Sequence, residues 1–286
     1  MRSYIPSFDL RVPDTLAEVL ELFAEGPGAW QPFAGGTDLM VLLEAGRLEH
    51  KNYVSVSNLR ELRTIDVTGG GVSVGAASTF TEILRHPVLA AEFPMLCAAA
   101  AETGGVANQN RGTLGGNIAN ASPAADSPPA LLAYDAELEI VSRRGSRRLP
   151  YERFHTGYKK MDLAPDELIT AIFLPRRTRP RRQVYRKIGT RRAQAISKVC
   201  FAGAIEVEGG VVTDARVAFG SVAPTVVRAR RAEDALRGKP LDRDTVAAAR
   251  NAVAADISPI DDIRSTARYR AWVAANLLEG LLAAGG

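Results

Sequence analysis

Two short glycine loops, Ala34-Gly35-Gly36-Thr37-Asp38 and Thr113-Leu114-Gly115-Gly116-Asn117, constrain this chain more than anything else in it. Each joins consecutive glycines to a hydroxyl residue and a short Asx residue, a composition that lets backbone N–H groups gather around an anion. The first follows Gln31-Pro32-Phe33 and runs into Leu39-Met40-Val41-Leu42-Leu43, the unbroken apolar pattern of a buried helix. That places the loop at a helix N-terminus, where unpaired N–H groups and the dipole also favour an anion. A tight strand-to-helix turn with Thr37 or Asp38 as N-cap explains the first loop alone equally well. The second loop shifts the balance. It lies in an aperiodic segment, Val106 to Ser127, that carries Asn108, Gln109, Asn110, Asn117 and Asn120. A structureless loop of roughly twenty residues in a compact domain is more often functional than accidental. Two such loops predict a ligand with two phosphates.

The remaining pattern is α+β. Thr15 and Glu18 have capping-box spacing ahead of a helix ending near Gly26, and Thr79 with Glu82 opens another that stops at His86-Pro87. Pro94 starts a helix to about Glu102, ended by Gly104-Gly105. Strands are predicted at Tyr53–Ser57, Thr64–Val67, Val72–Val74, Leu138–Val141, Arg147–Leu149 and Leu168–Leu174. Two more, Val199–Val207 and Val211–Phe219, meet at Gly209-Gly210, and helices around Asp244–Ala255 and Thr266–Leu282 close the chain. The Arg/Pro-rich stretch from Pro175 to Arg182 is the best domain boundary on composition. With 286 residues, two or three packed units are expected.

Several function classes are disfavoured by what the sequence lacks. There is no G-x-G-x-x-G, and the nearest Walker-A spacing, Gly70 to Gly75, is followed by Ala76 where Lys is needed. His50, His86 and His155 show no metal-ligand spacing, and Cys97 and Cys200 stand too isolated to bind an iron–sulfur cluster. No catalytic or metal residue is nominated. The net charge of +4 comes in short clusters such as Arg143-Arg144, Arg147-Arg148 and Arg230-Arg231, and aromatic content is 6%, which favours solvated surface over nucleic-acid binding. The N-terminus lacks the apolar run of a signal peptide and no stretch reaches the length of a membrane span, so a cytoplasmic protein is expected. Asp126, in Asp126-Ser127-Pro128-Pro129, serves equally as a helix start or a ligand contact. Lys187 by its chemistry is one more cation.

Three segments carry a family resemblance: Phe33-Ala34-Gly35-Gly36-Thr37-Asp38-Leu39, then Asn110 to Ala119 running into Ser122-Pro123-Ala124-Ala125-Asp126, then Tyr185-Arg186-Lys187-Ile188-Gly189. With Gly220-Ser221-Val222-Ala223-Pro224 and the helical C-terminus, the likeness spans essentially the whole chain. It resembles the FAD-binding medium subunit of molybdenum hydroxylases, the family of xanthine dehydrogenase and carbon monoxide dehydrogenase. The resemblance implies a two-subdomain FAD domain of the vanillyl-alcohol-oxidase (PCMH) type over residues 1–176, divided at about 56/57, and a C-terminal α+β domain over 177–286 with a small antiparallel sheet. It implies that Pro32 to Leu39 and Thr113, Gly115, Gly116 and Asn117 hold the FAD pyrophosphate. Asp126 would bind a ribose hydroxyl, Lys187 would reach the flavin, and Thr103 and Ile169 would line the pocket. Relatives can carry an aromatic where Thr103 stands, so ring stacking is not implied there.

The same resemblance implies that molybdopterin sits on a large partner subunit and the [2Fe-2S] clusters on a small one, in an assembly that can be a dimer of heterotrimers. FAD would pass electrons to NAD, oxygen or a quinone. The Thr37-Asp38 form of the first loop favours the xanthine dehydrogenase type over the carbon monoxide dehydrogenase type. The 4-hydroxybenzoyl-CoA reductase branch needs a further cluster that two isolated cysteines cannot supply. A self-sufficient FAD oxidoreductase on the same scaffold is the alternative from another class.

Overall fold

The computed structural model describes residues 7–176, 182–191 and 194–283. The expected α+β architecture is present as three main sheets. The first is parallel, in the order β1-β3-β2, from β1 (Asp9–Arg11), β2 (Gln31–Phe33) and β3 (Asn52–Ser55). Helix α1 (Leu16–Glu25) crosses between β1 and β2. The Thr15 hydroxyl accepts the Glu18 N–H at 3.3 Å, Gly26 is the C-cap, and Val19, Leu20 and Phe23 are buried. Helix α2 (Leu39–Glu44) departs from its sequence pattern. None of its residues is buried, and Met40 and Val41 are 52% and 61% exposed. An apolar run reports burial only where a core faces it, and Leu39 and Val41 of α2 instead line an open cleft.

The central sheet is antiparallel, in the order β4-β5-β10-β6-β7, from β4 (Ile65–Val67), β5 (Gly71–Gly75), β6 (Glu137–Ser142), β7 (Gly145–Pro150) and β10 (Leu168–Pro175). A small hairpin of β8 (His155–Gly157) and β9 (Lys160–Met161) precedes β10. Between β5 and β6 run six helices: α3 (Phe80–Arg85), α4 (Pro87–Glu92), α5 (Pro94–Glu102), α6 (Val106–Gln109), α7 (Leu114–Ala119) and α8 (Pro128–Ala133). Thr79 and Glu82 form a complete reciprocal capping box on α3. The segment read as aperiodic contains α6 and α7, whose four and six residues are too few to display a helical repeat.

The last sheet is antiparallel through β11 (Arg182–Ile188), β12 (Val199–Glu208), β13 (Val211–Gly220) and β14 (Val227–Arg228), covered by α9 (Arg230–Leu236), α10 (Arg243–Asp256) and α11 (Ala267–Ala283). Gly209 and Gly210, at φ 57° and 81°, make the β12–β13 turn. Strand β12 alternates in size. Phe201 and Ile205 face the covering helices, and Gly203 lies close enough to Leu281 that a Cβ would come within 2.6 Å. Cys200, Ala202 and Ala204 face the other way and join the central core, where small side chains let α8 approach. The proposed boundary stretch lies partly outside the described residues, at 177–181.

Helix α8 is clamped at both ends to the last sheet. At its C-terminal end Arg228 donates to the Leu132 carbonyl at 2.8 Å and to Asp135 Oδ1 at 2.7 Å while also pairing with Glu233. Arg228 and Glu233 are 2% and 0% exposed, and Glu233 further accepts the Val217 N–H, Arg230 and Arg237. A buried carboxylate needs such a complete set of donors. The other end begins at Asp126 and is described next.

Candidate functional site

A cleft of about 900 Å³ opens between the first sheet and the central sheet, a volume in the upper part of the range for small-molecule sites. Pro32, Ala34, Gly35, Gly36, Thr37, Asp38, Leu39, Thr103, Thr113, Gly115, Gly116, Asn117 and Ile169 line it. The structure thus brings thirteen of the sixteen residues singled out from sequence around one space. Phe33, Asp126 and Lys187 do not line it.

The first glycine loop is shaped by two close approaches. Gly36 has φ 73°, and a Cβ there would come within 2.7 Å of the Phe33 ring, which packs beneath the loop. A Cβ on Gly35 would overlap the carbonyl oxygen of Arg111, and Arg111 Nε donates back to the Gly35 carbonyl at 3.2 Å. The first loop therefore rests directly on the segment leading to the second. Among the described residues the amides of Gly35, Gly36, Thr37 and Asp38 have no hydrogen-bond partner, so this loop offers a run of donors at the edge of the cleft.

The second loop differs from its sequence expectation. Four of its five amides are already engaged: Leu114 N donates to Ser78 O at 3.0 Å, Gly115 N to Ala76 O at 2.8 Å, Gly116 N to Thr113 Oγ1 at 3.1 Å and Asn117 N to Thr113 O at 3.0 Å. Glycine is needed at 115 for packing, since a Cβ would come within 2.7 Å of Ala76 Cβ and 2.8 Å of Ala76 O. What this loop presents is side chains and a close-packed wall.

Asp126 and Lys187 form a buried pair beside the cleft. Lys187 Nζ lies 2.8 Å from Asp126 Oδ2 and donates to the Glu102 carbonyl at 2.9 Å, with side-chain exposures of 6% for Lys187 and 11% for Asp126. Burial pushes the Asp126 carboxyl up to about 6 against the opposing pull of Lys187. Its second oxygen, Oδ1, is buried with no hydrogen-bond partner, a state that natural proteins rarely leave uncompensated. Tyr185 donates to the Asp126 carbonyl at 3.1 Å and touches Cys200 Sγ at 2.9 Å, and burial raises the Cys200 thiol far above its ordinary range.

Residues that sequence reasoning passed over also line the cleft, among them Lys159 and Ile196, as does Asn120 of the second-loop segment. Lys159 sits in the turn Gly157-Tyr158-Lys159-Lys160, which has no local signal to separate it from any exposed hairpin. Among the described residues no group of three or more His, Cys, Asp or Glu side chains is placed to hold a metal ion, and no helix is long and apolar enough to cross a membrane.

The sequence matches two family models: the FAD binding domain in molybdopterin dehydrogenase over residues 6–177, and the CO dehydrogenase flavoprotein C-terminal domain over residues 184–284. It is 36% identical over 260 residues to a xanthine dehydrogenase FAD-binding subunit of Escherichia coli O157:H7, covering 90% of this chain and 88% of that one. It is 32% identical over 267 residues to the glyceraldehyde dehydrogenase medium chain of Sulfolobus acidocaldarius, covering 93% and 94%. Among solved structures, a carbon monoxide dehydrogenase from Hydrogenophaga pseudoflava superposes with a TM-score of 0.93 at 27% identity, covering 97% of this chain and 96% of that one. The free amides of the first loop and the size of the cleft fit the cofactor that the family model names. The chain therefore belongs to the FAD-binding flavoprotein subunits of the molybdenum hydroxylase family.

Proposed function

We propose that this chain is the electron outlet of a multi-subunit molybdenum hydroxylase of the xanthine dehydrogenase type. The observation that carries the reading is the first glycine loop, whose free amides from Gly35 to Asp38 edge a cleft of cofactor size. In this reading residues 32–39 take the diphosphate of FAD, while Thr103, Thr113, Gly115, Gly116, Asn117 and Ile169 form the walls. Asp126, held by Lys187, would bind a polar group of the cofactor such as a ribose hydroxyl, and Lys187 would reach the flavin. FAD when bound accepts single electrons and can release a hydride. The chain's own residues bind it, orient it and close one side against water. Residues 1–176 would form the cofactor domain and 177–286 the second domain, a division that the two family-model matches support.

Molybdopterin and iron–sulfur clusters are assigned to large and small partner subunits. The higher identity to the xanthine dehydrogenase subunit than to the carbon monoxide dehydrogenase structure supports the xanthine type. NAD is the proposed acceptor. Purification from the native source tests this reading. The expected result is a complex containing molybdenum, iron and FAD that reduces NAD when given xanthine. Recovery of the chain alone, turning over a small-molecule substrate by itself, would overturn it in favour of a self-sufficient flavoenzyme.

A further inference from the structure

The two loops are unequal, and the inequality leaves a charge to account for. A diphosphate carries negative charge on both phosphates, yet only the first loop retains a run of free amides, the second keeping that of Thr113 alone, and the acidic residues Asp38 and Glu167 both line the cleft. Among the described lining residues Lys159 is the one cation. It stands at the β8–β9 turn with φ 56°, a left-handed conformation that costs a lysine roughly 1–2 kcal/mol relative to the ordinary right-handed one. Its ammonium donates to the Asn120 carbonyl at 2.6 Å and to Asn120 Oδ1 at 2.7 Å. Asn120 ends α7, the helix begun by the second glycine loop, and its Nδ2 reaches Asp38 Oδ1 on the first loop at 3.4 Å. One chain of contacts, Lys159–Asn120–Asp38, therefore spans the cleft between the elements that carry both loops. An ammonium has three donors, and Asn120 takes two of them. Capping the last carbonyls of α7 explains the contact with Asn120 but not the strained turn that sets the cation on the cleft wall.

We propose that Lys159 neutralises the diphosphate of the bound cofactor, supplying the charge that the second glycine loop, with four of its five amides engaged, does not. The inference rests on the FAD reading. It makes Lys159 a discriminator for phosphate: a flavin with no phosphate gains nothing from it.

The test is equilibrium binding to the flavin-free full chain, followed by quenching of flavin fluorescence, with FAD and riboflavin as probes at low and high salt. Lys159→Met should weaken FAD about tenfold to a hundredfold, the range for loss of a charge-assisted hydrogen bond, and leave riboflavin unchanged. The salt dependence of FAD binding should flatten in the variant. Lys159→Arg should restore most of the affinity. Lys159→Gly removes the cation and relieves the left-handed turn, so it should match Lys159→Met in binding while melting no lower than the parent chain. FAD affinity and salt response equal to the parent's in both neutral variants would overturn the proposal, and so would equal losses of FAD and riboflavin. Failure of the parent chain to bind FAD would instead refute the cofactor reading, and this inference with it.

Discussion

A Gly35→Ala chain should purify depleted of FAD. The new methyl would overlap the Arg111 carbonyl oxygen, and neither partner is the flexible end of a side chain, so one of the two backbones must move. Overpacking of this kind costs about 1–3 kcal/mol, occasionally more. The displaced backbone is the one whose amides face the cleft, so the cost falls on cofactor affinity, at about tenfold per 1.4 kcal/mol. Flavin-to-protein absorbance after purification, followed by FAD titration of the stripped chain, would record a loss of about tenfold to a hundredfold or more. Gly70→Ala is the control, because a Cβ there meets nothing within 4 Å. Full flavin occupancy in Gly35→Ala would show that the first loop does not hold the diphosphate.

Lys187→Met should destabilise the fold by about 3–5 kcal/mol near neutral pH, the usual result of removing one partner from a buried ion pair. It strands the Asp126 carboxylate, which already lacks a partner for Oδ1. Adding Asp126→Asn should recover much of the loss. The effect depends on pH in a defined direction. With Lys187 present, burial already raises Asp126 to about 6, above the value near 4 of an unfolded chain. The folded state thus holds this proton more tightly than the unfolded state does, and this group's contribution to stability falls as pH rises from about 4 to about 6. Without Lys187 the carboxyl rises further, so the penalty of the variant should be smallest below about pH 4 and should grow as pH climbs through 6 and beyond. Denaturant titrations across that range measure it. A penalty independent of pH would mean that Asp126 is not the group left stranded.

What the sequence disclosed was local chemistry. The Thr79 capping box, the Gly209-Gly210 turn and the strand from Leu168 each depend on neighbours within a few residues and formed as read, while at Thr15 the N-cap formed but Glu18 reaches back to the Asp14 N–H instead of closing the box. Helices α6 and α7 were hidden by their shortness, but most other misreadings arise because the deciding partner lies far along the chain. Leu39 to Leu43 looks buried until the structure sets α2 beside a cleft rather than a core. The amides of the second loop look available until Ala76 and Ser78 take two of them. Strand β11 mixes Arg182, Gln183, Lys187 and apolar residues, and only its pairing with β12 makes it a strand. At the site, glycine composition marked both loops, but nothing near Lys159 in sequence distinguishes it. Its contact with Asn120 exists only after folding.

The central claim is that the amides of Gly35 to Asp38 receive the diphosphate of FAD in the cleft between the first two sheets. A crystal structure of the full chain with FAD tests it most directly. Diphosphate oxygens should lie within hydrogen-bond distance of those amides, with the cofactor filling the cleft. FAD bound elsewhere, or bound in the cleft with its diphosphate away from the first glycine loop, would contradict it.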